Sequence, residues 1–416
     1  MSPAPGASPP DAVASLPSLE IPVLLRPGIT LQHTREEPVA HDRVRGDITA
    51  FVGLIPFRRW PTGAVTGDFL EKRLLAWDDL ASSPVLDFLD PITARSVFQF
   101  FQNGGLEARL FALCAPSEES LLTPDPWADV AFALIDRLRN EDEIALLAMP
   151  VLAYLPVTYE PGGRAIVRCQ PFIEMLVDHC REMNHRFLIL DTPRELHDEP
   201  LRVWVRELRE SLGEAACYAA IYYPWLMNGD DLFPPSGAVA GIYSRTDNEH
   251  QPYGVHWPPA NQVLRGVSHP AVELRWREGD LLIDHHINPI LTQPTRGVVV
   301  WGARTLSSDP RWIHINSRRI TSLIAAQIRK DAEWVVFENQ RPELWGIVTR
   351  VVSGRLDQMW QAGLLAGERA GSQYLVKCDA ELNPQEVRDA GQINIQVQLR
   401  PVSTTEYIVV DLRLGD

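Results

Sequence analysis

The chain has 416 residues, 45% of them hydrophobic and 22% charged, which suits a globular protein with room for two or three cores. Acidic residues outnumber basic ones 54 to 39, giving a net charge of -15, which argues against a nucleic-acid binder whose affinity comes from phosphate neutralisation. Five scattered cysteines without a CxxC point to neither a disulfide framework nor a zinc site, and the longest uncharged stretch is broken by Pro150 and Pro156 and is short for a membrane span.

Residues 1–26 contain SPAPGASPPDAVASLPS, which lacks the basic start and apolar centre of a secretory signal and reads as a disordered Pro/Ala-rich tail. Assembly in the cytoplasm is therefore expected. In the arm at 27–47, Ile29, Leu31 and His33 alternate with polar neighbours after Pro27-Gly28, the period of a strand. The first core strand is expected at 48–55. From about 92 to 223 helix and strand patterns alternate. A helix over 92–102 stops at Asn103-Gly104-Gly105, where glycine supplies a left-handed cap. A strand over 107–113, a helix over 128–137 and an apolar run at 144–149 follow. PFIEMLVDHCREM places Phe172, Ile173, Leu176, Val177 and Cys180 on one helical face, and the strand RFLILD, a helix at about 200–212 and ACYAAIYYPW come next. Such alternation predicts an α/β (α+β) fold with parallel or mixed sheets flanked by helices. Residues 228–300 are rich in proline and glycine and read as loops and short strands.

A strand over 298–301 opens the last third. It leads to a helix capped by Asn316 or Ser317, with Ile320, Leu323, Ile324 and Ile328 as its buried stripe. A second helix, about 343–362, is expected to bury Leu344, Ile347, Val348, Val351, Met359 and Trp360. The chain ends in TTEYIVVDLRLGD, where Ile408, Val410, Leu412 and Leu414 occupy every second position. A terminal strand with one apolar face must add to a sheet, and an open sheet edge invites a partner.

The search for chemistry gives little. Asp191 ends a strand, where open α/β sheets place catalytic or metal-binding acids, although Asp-Thr-Pro also makes a side-chain-capped turn. The adjacent His285 and His286 would face opposite ways on a strand and lack a spaced third ligand. Together these three residues define an alternative reading, an α/β metal-dependent hydrolase. Ser236 lies outside any GxSxG elbow, and neither GxxxxGK[ST] nor a GxGxxG after a strand is present, so no cofactor is expected. One asymmetry stands out: residues 301–365 hold nine basic and six acidic residues, a local +3 within a chain of -15. An acidic partner would meet this region as a complementary patch.

The stretch INPILTQPTRGVVVWGARTLSSDPRWIHINSRRI carries a resemblance, supported by WVVFENQRPELW, CDAELNP, GQINIQVQLRPVSTTEYIVV and, upstream, TAFVGLIP, FFQNGGLEARLFAL, FLILDTP and YYPWL with PPSGAVAGIYSRTD. In these motifs, which follow one another along the chain in the family's order from about Pro27 to the end, the chain resembles the contractile tail sheath proteins of phage tails and extracellular contractile injection systems. The N-terminal arm departs from the pattern, reading PGITLQHTREEP where relatives carry Pro-Gly-Val-Tyr-Val-Glu-Glu.

The resemblance implies a structural, non-enzymatic subunit of a six-start helical cylinder around an inner tube, with baseplate and cap or terminator proteins as further partners. It also implies N- and C-terminal arms that add strands to a sheet in neighbouring copies. The organisation expected on this basis is an outer α/β region at 48–290, an inner, tube-facing region at 291–391 and a strand arm at 392–416. Arg318, Arg319, Arg350 and Arg355 are the expected contacts to the tube.

Overall fold

The computed structural model describes residues 43–114, 124–338, 342–367, 373–402 and 408–414. The arm positions Ile29, Leu31 and His33 therefore lie outside the described residues. In chain order the elements begin with β1 (Thr49–Ile55), β2 (Phe69–Leu74), α1 (Trp77–Ala81), α2 (Val85–Phe88), α3 (Pro91–Gln102), β3 (Ala108–Cys114), α4 (Pro124–Arg139), β4 (Leu146–Ala148), β5 (Val157–Tyr159), β6 (Ala165–Val167), α5 (Gln170–Met183) and β7 (Phe187–Asp191). There follow α6 (Asp198–Leu212), β8 (Ala219–Tyr223), β9 (Leu226–Asn228), β10 (Asp231–Phe233), α7 (Ser236–Glu249), β11 (Gln262–Val263), β12 (His269–Pro270), α8 (Trp276–Asp284), β13 (Ile287–Gln293) and β14 (Gly297–Val300). The last third is α9 (Ile315–Asp331), α10 (Pro342–Gln361), β15 (Tyr374–Lys377), α11 (Gln385–Asp389), β16 (Ile393–Leu399) and β17 (Ile408–Leu414).

A nine-stranded sheet ordered β11-β14-β13-β8-β7-β4-β1-β3-β2 forms the centre. From β13 to β3 its neighbours run parallel, while β2, β14 and β11 pair antiparallel. Parallel strands need both faces covered, and β1 meets that need by alternation. Ala50, Val52 and Leu54 enter a core with α4, α5 and α6, and Phe51 and Ile55 enter the opposite core with α3 and α7. Strand β14 ends at Val300, so the main sheet continues past residue 290. Asp90 caps α3 by accepting from Thr93 N, and Gly104 after the helix takes φ 98°, the left-handed conformation expected there.

A third core joins α9 and α10 to the sheet β15-β16-β17 and takes in Tyr253 and Val255. Here Ile320, Leu323, Ile324 and Ile328 are buried, as their spacing predicts. Three expectations need correction. Residues 228–300 hold α7 and α8 as well as short strands. Helix α9 starts at Ile315 after His314 with no side-chain cap, and Asn316 instead donates to the His256 carbonyl at 3.1 Å. On α10, Ile347 and Val351 are 40% and 37% exposed, whereas Val352 and Leu356 are buried. The helix carries apolar residues around more of its circumference than its core contact uses.

Candidate functional site

The residues of the hydrolase reading are occupied separately. Asp191 Oδ1, at the end of β7, accepts from Ser236 N at 2.6 Å and so holds the first turn of α7. Burial pushes its carboxyl up to about 7, against the opposing pull of the Ser236 hydrogen bonds. His286 has φ 62° and its Nδ1 bonds the Thr305 carbonyl at 3.0 Å; burial lowers its pKa to about 4. His285 ends α8 as a backbone cap. Among the described residues no group of three His, Cys, Asp or Glu could hold a metal ion.

Asp191 thus has a structural consequence that can be measured. Its folded pKa lies above its unfolded one, so the native state binds the extra proton and stability falls as pH rises from about 4 to about 7. Asp191→Asn removes that slope: relative to the parent, the variant should gain stability between pH 4.5 and pH 8 in denaturant titrations, and parallel curves would remove the assignment.

The four arginines do not form one surface row. Arg319 is buried and makes a double contact with Asp247 on α7, at 3.1 and 2.5 Å. Arg355 is buried against Asp331, with contacts of 2.5 and 2.9 Å. The Arg318 guanidinium lies 4.5 Å from the Tyr218 ring centroid and 4.3 Å from that of Trp312, a cation–π sandwich. Arg350 alone is exposed, on the α10 face that also presents Gly346, Ile347, Val351 and Gly354. The excess of basic residues in 301–365 counted charges without their partners, and planar guanidinium groups are the cations best suited to such internal pairing. For Arg318, Arg319 and Arg355 a tube-facing surface position is therefore corrected to an interior one.

The alternation at the C-terminus takes the following form. Ile408, Val410, Leu412 and Leu414 are buried in the third core, while Val409, Asp411 and Arg413 face outward. Strand β17 pairs antiparallel with β16 along its whole length, from Ile408↔Leu399 to Leu414↔Ile393, and Gln396 donates to Asp411 at 2.9 Å. Because β17 ends the sheet order, its far side pairs with no strand among the described residues. In the single chain, then, the terminal strand is held by its own β16. The approach to it is marked by an isolated bridge, Leu365↔Pro401.

Two further features escaped the sequence reading. One is the buried helix α7, whose Gly237 and Gly241 touch the backbone of α3. The other is a polar junction around residues 44–47, described below. Its groups come from positions far apart in the chain, and no local spacing could announce them.

Comparison with known proteins agrees with this architecture. Residues 173–306 match the phage tail sheath protein central domain, and residues 307–415 match the phage tail sheath C-terminal domain. The tail sheath protein of Enterobacteria phage T4 is 28% identical over 186 residues, 43% of this chain and 26% of that protein. A putative prophage major tail sheath protein of Pseudomonas aeruginosa is 30% identical over 109 residues, 25% of this chain and 27% of its own. These alignments span only about a quarter of each relative. Among solved structures, the helical sheath of the anti-feeding prophage in its contracted state shares 26% identity, with a TM-score of 0.66 over 94% of this chain and 99% of that one. The sheath complex of the extracellular contractile injection system PVC, also contracted, has the same fold, at 22% identity and a TM-score of 0.67 over 94% of this chain and 98% of that one. With the two sheath domains following one another without a gap from residue 173 to residue 415, and one shared architecture across nearly the whole chain, the chain belongs to the family of phage tail sheath proteins.

Proposed function

We propose that the chain is the repeating subunit of a contractile sheath. Many copies polymerise as a helical, six-start cylinder around an inner tube, bounded by a baseplate and a cap or terminator protein. The cylinder shortens to drive the tube through a target envelope. Assembly takes place in the cytoplasm, and the subunit acts by rearranging contacts, not by turnover. The observation that carries this reading is β17, an apolar-faced terminal strand on a sheet edge in a chain that matches a helical sheath subunit over 94% of its length.

Because the β17 slot beside β16 accepts an antiparallel strand of this sequence, a neighbour's β17 fits it equally well. Exchange then replaces one set of contacts by an identical set and links two copies at little cost. Each backbone hydrogen bond adds on the order of 1 kcal/mol net, and the apolar face adds about 25 cal/mol per Å² buried. New burial between folded bodies supplies the driving force for contraction.

Arg350 and the small or apolar positions around it on α10 are the part of the original tube-contact set that remains exposed, and we assign them to the tube side. Electron microscopy of the full chain co-expressed with its tube protein tests the function: sheathed tubes are expected, and bare tubes beside monomeric chain would overturn it. Arg350→Glu should lower the fraction of sheathed tubes by about tenfold, since a reversed interfacial charge meets repulsion. Unchanged sheathing would remove Arg350 from the interface.

A further inference from the structure

At the start of the described chain, four consecutive residues are stitched to three separate parts of the molecule. Val44 N donates to Gln327 Oε1 on α9 at 2.8 Å, and Gln327 Nε2 passes the contact to Asp331, the partner of Arg355. Arg45 bridges Asp47 at 2.9 Å and Glu107, just before β3, at 2.8 Å. The Gly46 carbonyl accepts from Arg319 Nη2 at 2.8 Å, while the same guanidinium holds Asp247 of α7. Asp47 Oδ2 accepts from Ser244 and Asn248, also on α7, at 2.9 Å each. Asp47, Glu107, Asp247, Arg319 and Gln327 are all buried. The fit at Gly46 is close: a Cβ there would stand 2.6 Å from Val255 Cγ1.

Buried ion pairs are a poor means of adding stability, because desolvation offsets most of the attraction. What they do provide is fixed geometry, and here the geometry has a direction. The strap at 44–47 is gripped from α9 by Arg319 and Gln327, and from the main sheet's side by Glu107 and α7. Just after it the chain enters β1, between β3 and β4 in the nine-stranded sheet. A pull arriving from upstream meets bonds to both halves within four residues.

We infer that residues 44–47 form a tension-transmitting root, with Arg319 as its positioning residue, which delivers tension from the N-terminal segment to the main sheet and, through α9, to the C-terminal core together. The inference rests on the proposed sheath function only in taking the N-terminal segment to be held by another copy. Under it, the consecutive Arg318 and Arg319 serve as an internal joint: one is stacked between Tyr218 and Trp312, the other is locked to α7 and the strap.

The test uses the full chain in an optical trap. All five native cysteines are buried, so Glu210→Cys and Leu75→Cys, both at exposed positions, give selective handles. In the parent, loading between the N-terminus and residue 210 should give no yielding event at the strap before the main sheet unfolds. Arg319→Met and Gln327→Leu should each introduce an early, low-force step in that geometry and leave the force between residues 75 and 210 unchanged. Gln327→Leu removes no charge, so it carries the test if Arg319→Met does not fold. Hydrogen exchange at the Val44 amide should accelerate by about tenfold or more in Gln327→Leu, while β1 and β16 keep their protection. Equal weakening in both pulling geometries, or no early step, overturns the root. Failure to form sheaths by a parent chain that shows the root's mechanics would count against the function and not against the root.

Discussion

Gly237→Val is expected to cost more than 3 kcal/mol of stability, or to abolish soluble folding. A Cβ on Gly237 would lie 2.2 Å from the Ser96 carbonyl oxygen and 2.6 Å from its Cα, and one on Gly241 would lie 2.4 Å from the Phe100 carbonyl oxygen. Helices α3 and α7 therefore meet backbone to backbone, and no side-chain rotation can relieve the clash. The helices must separate, which opens the core containing Val97, Phe100, Val239 and Tyr243. Overpacking a core costs about 1–3 kcal/mol when side chains can yield; where only backbone can move, the cost should exceed that range. Gly346→Ala makes the control. That glycine is exposed within α10 with nothing near its missing Cβ, so alanine should stabilise by up to about 1 kcal/mol through helix propensity alone. Urea titrations that give both substitutions the same sign would refute the helix contact.

The second large effect concerns the terminal strand. A chain ending at residue 403 loses Ile408, Val410, Leu412 and Leu414 from the third core and leaves one edge of β16 unpaired. Four buried aliphatic side chains at about 1.5–3 kcal/mol each exceed what the C-terminal sheet can lose and stay ordered. The truncated chain should therefore aggregate, or show exchange-labile β15 and β16, instead of persisting as a well-folded monomer. A synthetic peptide of residues 404–416 should restore protection in trans, and the same peptide with Val410→Asp and Leu412→Asp should not. Fluorescence anisotropy with labelled peptide measures the binding. A truncated chain as stable as the parent and indifferent to peptide would contradict both the burial and the strand-exchange reading.

How far the sequence could be read follows from what each element buries. Helix α5 buries one face, so Phe172, Ile173, Leu176, Val177 and Cys180 display its period; β17 buries one face too, and its alternation is plain. Helix α7 is buried from Ser236 to Asp247 on all sides, and a helix surrounded by protein has no polar stripe to betray its period. Its Gly237 and Gly241, and the Pro234-Pro235 pair just before it, instead read as loop. The arginines illustrate a different limit. Arg319 and Asp247 are 72 positions apart, and a charge count along the chain treats an internal pair as a surface excess. The same non-locality hid Asp191, whose partner Ser236 is 45 positions away and turns a candidate catalytic acid into a helix cap.

The burial of every cysteine has a consequence for the proposed sheath, in which the subunit repeats many times. Desolvation raises the thiols of Cys169 and Cys180 to about 12 and that of Cys378 to about 11, and lifts Cys114 and Cys217 as well. At neutral pH almost none of them is the reactive thiolate. A lattice repeating this subunit multiplies any surface nucleophile by its copy number, and one accidental covalent staple between neighbours would freeze the whole array. By keeping sulfur inside and un-ionised, the chain would leave neighbouring copies in the proposed sheath without a covalent tether.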